Sequence, residues 1–179
     1  MRLFIGIPIG TDARAALAQA AAEMRAIEDG RYVAKEMYHV TLAFLGELEV
    51  GRMDAVRAAM DEAAGCARSV PLTLAGAGSF GKGESAILYA GVRGADGLCP
   101  VADELRAALA ARGLPFDPKP FKAHITLARR VNATGALLAS KIAPVAFCAD
   151  GLTLFHSCRV DGALRYLPIY ESHFRKGMF

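Results

Sequence analysis

Two strand-like segments of nearly the same sequence constrain the fold of this chain most. They are His39-Val40-Thr41-Leu42-Ala43 and His124-Ile125-Thr126-Leu127-Ala128. Both are rich in β-branched and apolar residues, which favours extended strands, where residues i and i+2 share a face about 6.6 Å apart. The His and Thr of each segment therefore point to one face, and the alternating apolar residues point to the other. Each strand is predicted to present one imidazole and one hydroxyl on a wall backed by core.

The chain has 179 residues, enough to bury a sizeable core in one unit, and we predict a single bilobal domain over residues 1–179. The composition, 54% hydrophobic and 22% charged, excludes a disordered or fibrous protein. The net charge of +3 permits a polyanionic partner without requiring one. Four scattered cysteines contain no C-x-x-C pair, so neither a zinc ribbon nor a redox motif is indicated, and we expect reduced thiols in a cytoplasmic protein.

Alternating helix and strand signals predict the α+β class. Helices are expected over residues 11–28, 50–65 and 100–112, with a short one over 134–141. Besides the two motif strands, we expect strands over 3–9, 71–77, 86–92, 145–148, 151–155 and 163–169. The apolar start is too short to span a bilayer, so it is interpreted as the first strand. One motif in each half of the chain predicts two lobes related by approximate two-fold symmetry, with the motif strands facing each other across a cleft.

The paired His and Thr residues fit acid–base chemistry at a phosphodiester. One imidazole can take a proton from the attacking oxygen while the other gives one to the leaving oxygen, since both titrate near neutral pH. Each hydroxyl can bond a non-bridging oxygen as charge accumulates, a contribution of about 2.7–4 kcal/mol per donor in comparable sites. Either motif alone could be an ordinary strand, but their recurrence favours function. Zinc usually needs three protein ligands, and each motif offers one His, so no metal or other cofactor is predicted.

The two H-x-T-x signatures, residues 39–42 and 124–127, resemble those of the two-histidine (2H) phosphoesterase superfamily. Their surroundings resemble its bacterial and archaeal RNA 2′,3′-cyclic phosphodiesterase branch, the LigT-like or 2′-5′ RNA ligase family. The resemblance covers most of the chain and includes residues 2–7, 43–46, 78–80, 88–92, 129, 154–157 and 162–166. The sequence departs from the usual pattern at Lys122-Ala123, where a proline commonly precedes the second His, and at Met37-Tyr38 before the first.

The resemblance implies two antiparallel sheets facing across a central cleft, with the helices outside. It implies metal-independent opening of a 2′,3′-cyclic phosphate at an RNA end, leaving a 2′-phosphate. By position, His39 is the proton donor to the departing 3′ oxygen, His124 is the proton acceptor for water, and Thr41 and Thr126 bind the phosphate. A 2′-5′ RNA ligase, a phosphodiesterase for a small cyclic nucleotide and a binding module without turnover remain alternatives. We expect a monomer that acts on RNA and does not associate with membranes.

Several further residues are weaker candidates for substrate contact. Arg129 and Lys122 lie in a basic stretch that could bind RNA phosphates, although such clusters are often solvated surface. Phe44 and Tyr38 could stack on a base, although aromatics beside a strand are more often core. His156 and His173 have no partner motif and are expected to be structural or exposed.

A glycine pattern over residues 76–81 spells G-x-G-x-x-G, the signature of dinucleotide-binding loops. Such a loop must follow a strand and open a helix. Here the next residues, 86–89, again have the character of a strand. A β-hairpin is therefore predicted, and a nucleotide-binding loop is not.

Overall fold

The computed structural model describes residues 1–175, which form nine strands and four α-helices. The strands are β1 (Arg2–Pro8), β2 (Arg31–Tyr32), β3 (His39–Glu47), β4 (Val70–Phe80), β5 (Ala86–Arg93), β6 (His124–Val131), β7 (Ala146–Ala149), β8 (Gly151–Val160) and β9 (Ala163–His173). The helices are α1 (Thr11–Ile27), α2 (Met53–Cys66), α3 (Cys99–Ala111) and α4 (Gly135–Leu138). None of the helices in this part of the chain is long and apolar enough to cross a membrane.

The predicted helices and strands are present, with differences at their ends. The first helix begins at Thr11 behind an N-cap at Gly10, so its first turn has no side-chain cap. Thr134 does cap α4, because its hydroxyl accepts a hydrogen bond from the Leu137 N–H at 3.3 Å. The short strand β2 was not predicted, since two residues carry no periodic signal. The glycine pattern lies in an antiparallel β4–β5 hairpin, which confirms the hairpin prediction.

All nine strands join one sheet in the order β7-β4-β5-β6-β3-β1-β8-β9, with β2 beside β6. This corrects the expectation of two separate sheets, because β3 and β6 are linked at the centre. The link is a single antiparallel pair, Val40 with Ile125. The register around that pair sets Thr41 across from His124 and His39 across from Thr126. The two motif strands therefore meet at their first residues, and each His lies beside the Thr of the other motif.

The core lies between the helices and one face of the sheet. The alternating residues Val40, Leu42, Ile125 and Leu127 are at most 2% exposed and belong to the same cluster as Leu17, Val56 and Leu105 of the first three helices. Burial of one such side chain contributes about 1.5–3 kcal/mol. The His and Thr residues between them lie on the opposite face and are only partly buried. The predicted alternation is confirmed, and the helices lie behind the motif strands.

Candidate active site

A cleft of about 550 Å³ opens on the face of the sheet that the helices leave uncovered. Six of the residues predicted from the sequence line it: His39, Thr41, His124, Thr126, Arg129 and Phe44. No residue of the four α-helices contributes to this lining. The structure therefore brings both motifs to one concave surface, together with one of the basic candidates and one of the aromatic candidates.

His39 is held by hydrogen bonds at both ring nitrogens. Its Nδ1 lies 2.7 Å from the Met37 carbonyl oxygen, and its Nε2 lies 2.8 Å from the Thr41 hydroxyl. A carbonyl can only accept, so Nδ1 carries the proton and Nε2 of the neutral ring accepts from Thr41. Burial lowers the pKa of His39 to about 4, and the charges of His124 and Arg129 act in the same direction. The imidazole is therefore neutral at pH 7.

Aromatic rings surround His39 on the side away from His124. Its ring centroid lies 4.7 Å from that of Phe4, 5.4 Å from that of Tyr166 and 5.8 Å from that of Phe155. Gly6 of β1 lies behind the imidazole, and a Cβ there would stand 3.1 Å from His39 Cδ2 and 2.8 Å from the Val40 carbonyl oxygen. A side chain at this position would push His39 out of its place. The packing of these residues thus fixes the position of the His39 ring, which the motif alone does not determine.

His124 is oriented in the same way as His39, by a hydrogen bond from Nδ1 to the backbone carbonyl oxygen two residues earlier. Its Nδ1 lies 2.6 Å from the carbonyl oxygen of Lys122, so this ring too keeps its proton on Nδ1. Burial lowers the pKa of His124, and the positive charges of Arg129 and Lys122 add to the effect. Unlike Nε2 of His39, the Nε2 of His124 has no hydrogen-bond partner within residues 1–175.

A second aromatic group borders His124. Phe80 and Tyr89 stack with centroids 4.4 Å apart, and both meet the imidazole edge to face, at 4.8 Å and 5.5 Å. The Nζ of Lys122 lies over the same two rings, 4.9 Å and 5.5 Å from their centroids. We name Phe80 and Tyr89 the ring pair. Lys122 is not among the residues that line the cleft, so its predicted contact with substrate is not supported by its position.

Tyr38 also lies away from the cleft. It is 3% exposed and packs in the core, where burial raises the pKa of its hydroxyl to about 12. The expectation that it stacks on a base is therefore corrected: strand alternation turns residue 38 away from the face that His39 occupies. Phe44 does line the cleft, and the Arg2 guanidinium lies 5.2 Å from its ring centroid.

The other two histidines stay out of the site, as expected. Phe155 and Ser157 border the cavities beside His39, so alternation along β8 directs His156 to the opposite face. His173 is exposed at the end of β9.

Several residues that line the cleft were not identified from the sequence. Ser157 and Tyr166 are cross-strand partners on β8 and β9, and Asp117 reaches the cleft because its N–H bonds to the Phe44 carbonyl oxygen. Neither Ser157 nor Tyr166 lies near a motif in the sequence, whereas Asp117 lies seven residues before His124. The only signal was that residues 157 and 166 fall in segments that resemble the family. Across residues 1–175, no cluster of three or more His, Cys, Asp or Glu side chains could hold a metal ion.

The lowered pKa of His39 makes stability depend on pH. The folded value is about 4, whereas the unfolded chain has the ordinary value of 6.5. Between these pH values the unfolded state binds more protons, so the free energy of unfolding falls as the pH falls from about 6.5 to about 4. We expect this histidine to account for a loss of about 1–3 kcal/mol over that window. Urea unfolding at pH 7.5 and pH 5 should show a smaller loss in His39→Gln, and equal losses would contradict a buried neutral His39.

The family model of the 2′-5′ RNA ligase superfamily matches residues 13–161. The chain belongs to this superfamily, which confirms the family predicted from the motifs.

Relatives of this chain carry one common name. An Escherichia coli K12 protein named RNA 2′,3′-cyclic phosphodiesterase is 32% identical over 94% of this chain and 93% of its own length. A Geobacillus stearothermophilus protein of the same name is 35% identical over 71% of this chain, and the match covers 41% of that protein. The crystal structure of E. coli LigT complexed with 3′-AMP matches with a TM-score of 0.81 and 28% identity over 98% of both chains.

Proposed function

We propose that this protein hydrolyses RNA 2′,3′-cyclic phosphate ends to 2′-phosphomonoesters, with His39 and His124 as a metal-independent acid–base pair. The observation that carries the proposal is the matched orientation of the two imidazoles. Each holds its Nδ1 proton on the backbone carbonyl two residues earlier, and both side chains line one cleft. Such a pair can serve an in-line displacement in which one ring accepts a proton as the other gives one up.

The names of the relatives support the general activity. The E. coli and G. stearothermophilus proteins are both named RNA 2′,3′-cyclic phosphodiesterase, which agrees with the predicted enzyme class. The crystal structure of E. coli LigT complexed with 3′-AMP shows that a similar protein binds a nucleotide that carries a 3′-phosphate. The regiochemistry and the use of both histidines are our proposal for this chain.

We assign the roles as the motif order suggests. His124 takes a proton from water through its Nε2, which has no partner in the structure's described part. The activated water attacks phosphorus, the bond to the 3′ oxygen breaks, and His39 gives its Nε2 proton to that oxygen. A 2′-phosphate remains, and both imidazoles return to their starting states after one proton exchange with solvent. Arg129 lines the same cleft and supplies a positive charge for the phosphate.

To act as the proton donor, His39 must first be protonated, because burial lowers its pKa to about 4 and leaves the ring neutral at pH 7. A bound cyclic phosphate brings a negative charge into a buried site and thereby favours the imidazolium form. The proton enters at Nε2, the nitrogen that accepts from Thr41 in the free protein. Once Nε2 carries a proton it can only donate, so the Thr41 hydroxyl becomes the acceptor and its own hydrogen is released. Thr41 can then donate to a non-bridging phosphate oxygen.

The test is to incubate the purified protein, with excess chelator, with a short RNA that ends in a 2′,3′-cyclic phosphate. We expect a 2′-phosphate product at the same rate with and without chelator. A parallel reaction with a 5′-hydroxyl RNA acceptor measures 2′-5′ joining. Formation of a 3′-phosphate, activity only without chelator, or binding without any product would each contradict the proposal.

A further inference from the structure

We infer that Lys122 is a positioning residue for His124, acting through the ring pair Phe80 and Tyr89 rather than by binding RNA phosphate. This inference rests on the proposed role of His124 as the proton acceptor. It concerns a residue whose side chain lies outside the lining of the cleft.

Residue 122 contacts His124 by two routes. Its carbonyl oxygen accepts the Nδ1 proton at 2.6 Å, which fixes the tautomer and the rotation of the imidazole. Its ammonium lies over Phe80 and Tyr89, 4.9 Å and 5.5 Å from their centroids, within the range of a cation–π contact. Those rings meet the imidazole at interplanar angles of 83° and 63°. Lys122 therefore holds the imidazole of His124 through Nδ1 and also supports the ring pair beside it.

The sheet is shaped to receive the ring pair. Tyr89 of β5 pairs with Gly78 of β4, and its ring lies across that glycine. A Cβ at Gly78 would stand 2.5 Å from Tyr89 Cζ and 2.6 Å from its hydroxyl oxygen. Only glycine leaves room for the ring, which explains this part of the G-x-G-x-x-G pattern. Tyr89 also pairs with Thr126 on its other side, so the ring pair lies directly beside the second motif.

The position of Lys122 also gives it an electrostatic role. The charged and titratable groups around His124 include Lys122 before it, Arg129 on its own strand, His39 on β3 and Tyr89 on β5, and the Asp117 carboxylate lines the same cleft. Two of these, Lys122 and Arg129, carry a permanent positive charge at pH 7. Both charges lower the pKa of His124, although burial has the larger effect. The lowered pKa keeps Nε2 unprotonated and able to accept a proton. Arg129 lines the cleft and can approach phosphate, whereas the Lys122 ammonium is seated on aromatic rings.

The test compares Lys122→Met, Lys122→Arg and the control Lys82→Met in the full chain. Lys82 follows Phe80 in the adjoining hairpin, is exposed, and is not among the charges that shift the pKa of His124. The pKa of His124 is read from NMR titration of its ring protons, and kcat and KM are measured against pH on the cyclic-phosphate RNA. In Lys122→Met we expect the His124 pKa, and with it the acid limb of kcat/KM, to rise, because one of the positive charges that lower this pKa is removed.

We also expect kcat of Lys122→Met to fall about tenfold with KM nearly unchanged, because the general base is less well placed. Lys122→Arg should restore both readouts, since a guanidinium also stacks on aromatic rings. A raised KM with an unchanged His124 pKa would overturn the inference and make Lys122 a phosphate ligand. Wild-type behaviour of Lys122→Met would also overturn it. If the wild type lacks phosphodiesterase activity but the His124 pKa still rises in Lys122→Met, the proposed function is wrong and the effect of Lys122 on His124 is supported.

Discussion

Replacement of either His39 or His124 by glutamine is expected to lower kcat for cyclic-phosphate opening by about 10²–10⁴-fold. Each change removes a proton-transfer group from the same transition state while keeping a polar side chain of similar size. KM should change little, because Thr41, Thr126 and Arg129, which line the same cleft, remain available to the phosphate. The double variant should be little worse than the more damaged single variant, because groups that act as a unit give non-additive losses. Initial rates on the cyclic-phosphate RNA measure all three effects.

The matched control for this experiment is His156→Gln. It removes a third imidazole that lies on the same sheet but on the other face of β8. Its activity should remain within about twofold of the wild type, as for other substitutions away from the reacting groups. Thermal unfolding of each variant establishes that loss of activity is not loss of fold, which matters for His39 because it is packed among Phe4, Phe155 and Tyr166. Near-normal rates in folded His39→Gln and His124→Gln would refute acid–base catalysis by this pair.

The local pattern of the chain predicted the motif strands and their two faces well. Alternation of apolar residues about His39 and Thr41 depends only on the backbone of a strand, so it could be derived from the sequence. The same alternation excluded the glycine pattern as a nucleotide-binding loop, because the residues that follow it continue as a strand. What the pattern could not give is the central link between the motif strands, Val40 with Ile125, which depends on how two distant segments pair.

The residues that surround the histidines could not be predicted from the sequence for the same reason. Tyr166 lies more than a hundred residues from His39 in the sequence, yet its ring stands 5.4 Å from the imidazole. Strand order alone, with β1 and then β8 and β9 beside β3, brings it there. Tyr38 is the opposite case, since it is adjacent to His39 in sequence but buried in the core. Proximity along the chain misled the assignment of an aromatic contact, and only the pairing of the strands corrects it.

Substitution of the motif threonines is expected to have the second largest effect. Thr41→Val and Thr126→Val keep the shape of the side chain but remove the hydroxyl that we assign to a non-bridging phosphate oxygen. Loss of one such donor costs about 2.7–4 kcal/mol, so kcat should fall about 10²–10³-fold in each variant. Thr→Ser at either position should recover most of the rate, because the hydroxyl returns. Rates on the cyclic-phosphate RNA at saturating concentration measure the loss.

The hydroxyls of the two threonines differ in their hydrogen bonds to His39, and this difference allows the two Val variants to be compared. The Thr41 hydroxyl donates to Nε2 of His39 at 2.8 Å, so its hydrogen becomes available to phosphate only after Nε2 is protonated. Thr41→Val should therefore also alter the NMR titration of His39, whereas Thr126→Val should leave that titration unchanged. Thr73→Val on β4, outside the cleft, is the control for a lost strand hydroxyl. A rise in KM at constant kcat would make the threonines ground-state ligands, because the contact would then stabilise bound substrate and transition state equally.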